Sequence, residues 1–122
     1  MGYRFTAAAE AQFEAILLRS ARTHGTDAAA RYSRLIVTAA SAIGHDPGLP
    51  GSCGISRLPG IRFYPARLSR MRVRSDHRVG SPRHLILYRL AADGVVEILG
   101  LVHDRMVLSR AARKILRTTS EG

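Results

Sequence analysis

Cysteine is nearly absent from this chain, since Cys53 is the only one among 122 residues. One thiol cannot form an internal disulfide, and no Cys and His residues have the spacing of a zinc site. The N-terminus has no signal-peptide pattern, and no apolar run approaches the ~20 residues that span a bilayer. We therefore expect a soluble, cytoplasmic protein with no metal or other cofactor and no membrane partner.

Acidic residues and lysine are also scarce. The chain has 9 Asp and Glu against 19 Lys and Arg, a formal net charge of +10, and Lys114 is its only lysine. Residues 1–50 carry a net charge of +1, whereas residues 51–122 carry +9. Such a charge favours an acidic partner, a nucleic acid or another polyanionic surface, and the arginine fork binds carboxylate or phosphate through two hydrogen bonds. The second half of the chain is therefore the electropositive one.

The first half predicts a helical hairpin. Thr6 is a candidate N-cap, and apolar residues then recur at three- and four-residue spacing up to Gly25, which can end the helix. A second apolar stripe predicts another helix from Thr26 to Gly44. Because no run of Arg lies on the face of the second helix, we favour packing of this hairpin on a sheet over direct reading of DNA.

The second half predicts a loop, several strands and a final helix. Residues 48–60 contain four Gly and two Pro, which favour a loop. Residues 84–90 and 95–103 are nearly continuously apolar, as in central strands, and Ala91 to Gly94 form a hairpin turn between them. Helical spacing returns in residues 105–117, which predict a short basic helix. Two further strand patterns precede the predicted strands at 84–90 and 95–103. They lie at 61–64 and 68–74, and the second has Arg at alternate positions.

The order of these elements resembles the ParE/RelE toxins of bacterial toxin–antitoxin pairs. GIRFYP at 60–65, HLILYR at 84–89 and VEILGLVHDR at 96–105 are similar to the family's C-terminal sheet, and YRFTAAAEAQF at 3–13 to its opening strand and first helix. The resemblance implies one α+β domain over residues 1–122, with an N-terminal helical hairpin packed on a small twisted, mainly antiparallel sheet and a short basic C-terminal helix. Residues 75–82 look like an enlarged form of a tighter family loop.

The superfamily has two activities on one fold, and fold alone does not choose between them. RelE-like members cleave mRNA on the ribosome, which needs proton transfer and cations around the phosphate. In that alternative, Arg62, Arg89 and Arg105 would clamp the phosphate, and Tyr88 or His103 would move a proton. The tyrosine or His-Tyr pair that many ribonuclease members place near the chain end has no counterpart here.

The ending Val102 to Arg105 is closer to the ParE type, whose members bind DNA gyrase and trap it on cleaved DNA without bond-making of their own. The resemblance implies a ParD-like acidic antitoxin as the second partner, with direct binding of nucleic acid secondary. Other interpretations stay open: His103 as a structural residue, the tail as a cap on the sheet, and a relative with another target. The residues that we expect to bind the target are His103, Arg105, Arg110 and Arg113.

Overall fold

The computed structural model describes residues 2–72 and 82–121. Its helices and strands confirm the predicted α+β class. In chain order they are β1 (Tyr3–Phe5), α1 (Ala7–His24), α2 (Thr26–His45), β2 (Cys53–Ile55), β3 (Leu58–Pro65), a 3-10 helix (Ala66–Arg72), β4 (His84–Leu90), β5 (Val96–His103) and α3 (Leu108–Glu121).

The strands form one sheet in the order β1-β5-β4-β3-β2. β1 pairs with β5 in parallel, whereas the other three pairings are antiparallel. This confirms a mainly antiparallel sheet, and the apolar strands β4 and β5 lie inside it as predicted. No helix among the described residues combines the length and the apolar character that crossing a membrane requires.

Helices α1 and α2 form the predicted hairpin and cover one face of the sheet. The Thr6 hydroxyl accepts a hydrogen bond from the Ala9 amide at 3.1 Å, which confirms the N-cap. Gly25 separates the two helices with φ of 94°, a value that favours glycine. Most of the buried side chains that join the hairpin to the sheet are aliphatic or aromatic: Leu35, Ile36, Ala39, Ile43, Tyr64, Ile86, Tyr88 and Ile98.

Helix α3 packs on the opposite face, because the residues it contacts alternate along the strands with those that face the hairpin. The close approach of α3 depends on Gly100 in β5. A Cβ at that position would lie 2.6 Å from the Ile115 Cδ1 atom and 2.8 Å from the Gln12 Oε1 atom, so a larger residue would displace both. The buried residues of this second core are Ile61, Leu87, Leu99, Val102, Ala111, Ala112 and Ile115.

The predicted strand at 68–74 is wrong in its described part, since Ala66–Arg72 is a 3-10 helix. The alternation of Arg with apolar residues there does not mark a buried face, because Met71 is 69% exposed. Instead, the buried Ser69 hydroxyl lies 2.9 Å from the Tyr64 hydroxyl and holds the turn against β3. Residues 73–74 and most of the predicted enlarged loop at 75–82 lie outside the described residues.

The predicted loop at 48–60 is also partly wrong. It contains the short edge strand β2, and β3 begins within it at Leu58. An edge strand bonds to one neighbour and buries little side chain, so it tolerates the glycine that argued against a strand here. Cys53 and Gly54 are both exposed, in line with that position.

Candidate functional site

A basic stripe runs along the exposed side of α3, opposite the side that packs on the sheet. Its residues recur at the three- and four-residue spacing that brings side chains to one helix face. Within residues 2–72 and 82–119, none of them forms an ion pair with a carboxylate. The members of this α3 stripe are Arg110, Arg113, Lys114 and Arg117, all exposed.

The turn between β5 and α3 continues this surface. Arg105 is exposed, and the apolar side chains of Met106 and Val107 are 56% and 58% exposed. At the end of β5, the His103 Nδ1 atom accepts a hydrogen bond from the Arg105 amide at 3.2 Å. The same nitrogen lies 3.3 Å from the Asp104 carboxylate, a contact that becomes an ion pair only when His103 is protonated. His103 thus holds the turn that presents Arg105.

Two of the residues assigned to the ribonuclease alternative lie on the hairpin face of the sheet and are already bonded. The buried Tyr88 hydroxyl donates to the Pro47 carbonyl at 2.5 Å. Arg62 pairs with Tyr88 in the strand register, and its guanidinium donates to the Ser52 hydroxyl at 2.7 Å. A tyrosine that is buried and bonded to a backbone carbonyl is poorly placed to exchange a proton with a substrate.

Arg89 lies on the other face, where its Nε atom donates to the Glu97 carboxylate at 2.8 Å. The Glu97 carboxylate also accepts a hydrogen bond from the Arg4 guanidinium at 3.4 Å, so it joins three neighbouring strands. His84 of β4 is the register partner of His103, and Arg89 lies five residues further along β4. Arg89 is therefore about 16 Å along the strand from the position beside His103. The structure therefore does not bring the five ribonuclease residues around one phosphate.

The side chains of Tyr32, His84 and His103 form a cluster that sequence reasoning missed. The Tyr32 hydroxyl is hydrogen-bonded to the His84 Nδ1 atom, and the His84 and His103 rings meet edge to face with centroids 5.5 Å apart. Pairing the last two strands in register would have brought the two histidines together. No sequence signal connects them to Tyr32, because that contact depends on how the hairpin lies on the sheet.

Burial sets the protonation states of this cluster. Burial raises the pKa of Tyr32 to about 12, so its hydroxyl keeps its proton near neutral pH. Burial, with smaller effects from His103 and Arg19, lowers the pKa of His84 to about 4, while Asp104 acts weakly in the opposite direction. His84 is therefore neutral near neutral pH, and the tautomer in which Nδ1 accepts from the phenol carries its proton on Nε2.

Acidification is expected to destabilise the fold through His84. Its pKa is about 4 in the folded protein against an ordinary 6.5, so between these values the unfolded chain binds the proton more readily. The contribution is complete above about pH 6.5 and is lost as the pH falls toward about 4, with a magnitude of about 1 kcal/mol after allowance for solvent screening. Thermal unfolding across this range should show a shallower pH dependence in His84→Gln, and an unchanged one in His45→Gln. Identical profiles for His84→Gln and the wild type would contradict the assignment.

Among the described residues, no three His, Cys, Asp or Glu side chains are grouped so as to hold a metal ion.

The comparison with protein families gives a direct match: the model described as the ParE toxin of the type II toxin–antitoxin system, parDE, covers residues 3–108. The matched segment runs from β1 to the first residue of α3, so it includes His103 and Arg105 and ends before Arg110 and Arg113. A search of curated proteins found no match. From the family match over most of its length, the chain belongs to the ParE toxins of type II toxin–antitoxin systems.

Proposed function

We propose that the toxin acts by binding DNA gyrase and stabilising the gyrase complex with cleaved DNA, without covalent chemistry of its own. Membership of the ParE family makes the chain the toxin of a toxin–antitoxin pair and implies an antitoxin partner. Gyrase as the target and a ParD-like acidic antitoxin are the parts that we add. Both follow from the resemblance of the chain ending to the ParE type.

The main support for a binding mechanism is the surface formed by the β5–α3 turn and the α3 stripe. It combines exposed Arg105, Met106 and Val107 with the cations of the helix, which form no ion pair with the described carboxylates. Arginine and methionine are enriched in protein interfaces, and a basic surface speeds the approach to an acidic partner. His103 fixes the backbone of the turn, so its role in this proposal is to position Arg105.

The ribonuclease alternative has less support. Catalysis at one phosphate requires the proton-transfer groups and the cations to converge within hydrogen-bond reach. Here Arg62 and Arg89 lie on opposite faces of the sheet, and Tyr88 is buried. His103 and Arg105 lie next to each other at the far end of β5, away from Arg62, Tyr88 and Arg89. Two such residues would lack the rest of the apparatus.

Induction of the toxin in cells provides the first test. If gyrase is trapped on cleaved DNA, growing cells should form filaments and induce the DNA-damage response before protein synthesis stops. Mapping of mRNA ends in the same cells should show no new codon-dependent cuts. Early arrest of translation with such cuts, and no DNA damage, would instead favour the ribonuclease.

We expect the complex with the antitoxin to survive moderate and even high salt. The net charge of +9 on residues 51–122 favours an acidic partner, but charge pairing alone weakens as salt shortens the screening length to about 3 Å at ~1 M. Apolar burial in the interface is not screened in this way and should hold the complex together. Co-purification and gel filtration of the pair at low salt and at ~1 M salt measure this directly. Dissociation at high salt would show that the interface depends on charge alone.

A further inference from the structure

A cleft of about 590 Å³ opens between the helical hairpin and the adjoining ends of β4 and β5. Its basic side chains come from separate parts of the chain, with Arg19 on α1, Arg31 on α2 and Arg83 directly before β4. The cluster of aromatic and imidazole rings described above forms part of the same lining. We name this site the cation cleft and define it by Arg19, Arg31, Tyr32, Arg83, His84 and His103.

Among the described residues, no carboxylate pairs with the arginines of the cation cleft, and Asp104 beside the cleft contacts His103 instead. No Asp or Glu of residues 2–72 and 82–121 belongs to the lining. In the part of the chain that the structure describes, Arg19, Arg31 and Arg83 form no ion pair. Guanidinium groups that face one concave space repel each other and raise the local affinity for an anion. The cleft therefore has the charge of a binding site whose ligand is negative.

We propose that the cation cleft binds the phosphate group of a nucleotide. A phosphate carries more charge than a carboxylate and offers three acceptor oxygens, so it can use several guanidinium forks together. A single carboxylate side chain would satisfy only one of these arginines. The volume also suits a small molecule, because ligand pockets commonly measure about 300–1,000 Å³.

The rings in the cleft add two features that fit a nucleotide. Tyr32, His84 and His103 line the cleft, and rings of these types are those on which nucleic-acid bases stack. The His84 Nε2 atom forms no hydrogen bond among the described residues. In the tautomer in which Nδ1 accepts from Tyr32, Nε2 carries a hydrogen that a phosphate oxygen can accept. The cation cleft shares only His103 with the surface proposed to bind gyrase, so the inference does not depend on gyrase as the target.

Titration of the full-length toxin with defined probes tests the proposal. Inorganic phosphate, adenosine monophosphate, adenosine and a short thymidine oligonucleotide would each be followed by calorimetry and by the imidazole NMR signals of His84 and His103. Adenosine monophosphate should bind more tightly than phosphate, and adenosine should not bind measurably. The oligonucleotide distinguishes a site for free nucleotides from one for a strand: tighter binding than the mononucleotide indicates a strand.

The variant Arg19→Gln/Arg31→Gln/Arg83→Gln should weaken binding of adenosine monophosphate by ~10-fold or more. The matched control Arg34→Gln/Arg67→Gln/Arg117→Gln removes the same charge outside the cleft and should change the affinity by less than ~3-fold. Thermal unfolding of both variants verifies that they fold. Equal weakening in both variants would show a non-specific charge effect and overturn the proposal.

An acidic peptide is the competing occupant, and the same titration separates it from a nucleotide. A glutamate-rich peptide that binds the wild type, is lost in the cleft variant and is not displaced by adenosine monophosphate would overturn the nucleotide assignment. Displacement of the peptide by the nucleotide, with shifts confined to the cleft histidines, would support it.

Discussion

Replacement of both Arg105 and Arg110 by Glu is expected to abolish toxicity and gyrase inhibition while the melting temperature hardly moves. Both side chains are exposed and form no ion pair among the described residues, so the fold does not depend on them. Such surface changes usually alter stability by less than ~0.5 kcal/mol, whereas loss of a charged partner in an interface costs ~2–5 kcal/mol. Growth after induction and calorimetric unfolding measure the two effects.

A matched double reversal at Arg34 and Arg67 controls for the change in net charge. Both of these side chains are exposed, on α2 and on the 3-10 helix, away from the β5–α3 turn. The control should leave toxicity largely intact. Full toxicity of the Arg105→Glu/Arg110→Glu variant would mean that α3 only caps the sheet. Loss of toxicity in both variants would trace the effect to overall charge.

The second large effect is expected at Ile115, on the buried side of α3. This side chain is 7% exposed and fills the space above Gly100. Ile115→Ala removes buried carbon atoms and should lower the free energy of unfolding by ~2–4 kcal/mol. Arg113→Ala in the same helix should change it by less than ~0.5 kcal/mol. Denaturant titration of the two variants gives the comparison.

Removal of the whole helix extends that argument. Truncation after Asp104 would uncover Leu87, Leu99 and Val102, which are buried against α3. We expect the truncated chain to lose cooperative unfolding. If it unfolds as the full chain does, and Ile115→Ala behaves like Arg113→Ala, then α3 does not contribute to the core and its packing has been assigned wrongly.

The parts of the fold that could be predicted are those in which a periodic apolar pattern meets a clear stop. The apolar stripes before Gly25 and after Thr26 predicted both helices, and Thr6 as the N-cap predicted where the first one begins. The long apolar runs at 84–90 and 95–103 gave β4 and β5 to within a residue. Each of these elements contributes many buried side chains, so the core constrains its pattern.

The errors fall where few side chains are buried. The strand β2 has three residues and an exposed glycine, so its sequence resembles a loop. In the 3-10 helix, Arg at alternate positions gives the pattern that is typical of a strand. The turn is held by the contact between the Ser69 and Tyr64 hydroxyls, which the pattern does not indicate. The Tyr32–His84 hydrogen bond joins residues 52 positions apart, so no local pattern could have shown it.

The candidate site also has a part that could be predicted from the sequence and a part that could not. Arg110 and Arg113 were predicted to belong to a basic helix, and both lie exposed on α3. The role of this face in target binding stays a prediction. The cation cleft could not be foreseen, because Arg19, Arg31 and Arg83 meet only when the hairpin packs on the sheet.

The most direct test of the gyrase mechanism is the addition of purified toxin to gyrase and supercoiled plasmid. We predict that cleaved DNA linked to gyrase accumulates with increasing toxin, and that mRNA on translating ribosomes stays intact under the same conditions. Codon-dependent cuts at the ribosomal A site, abolished by His103→Ala or Arg62→Ala and accompanied by normal gyrase activity, would contradict the mechanism.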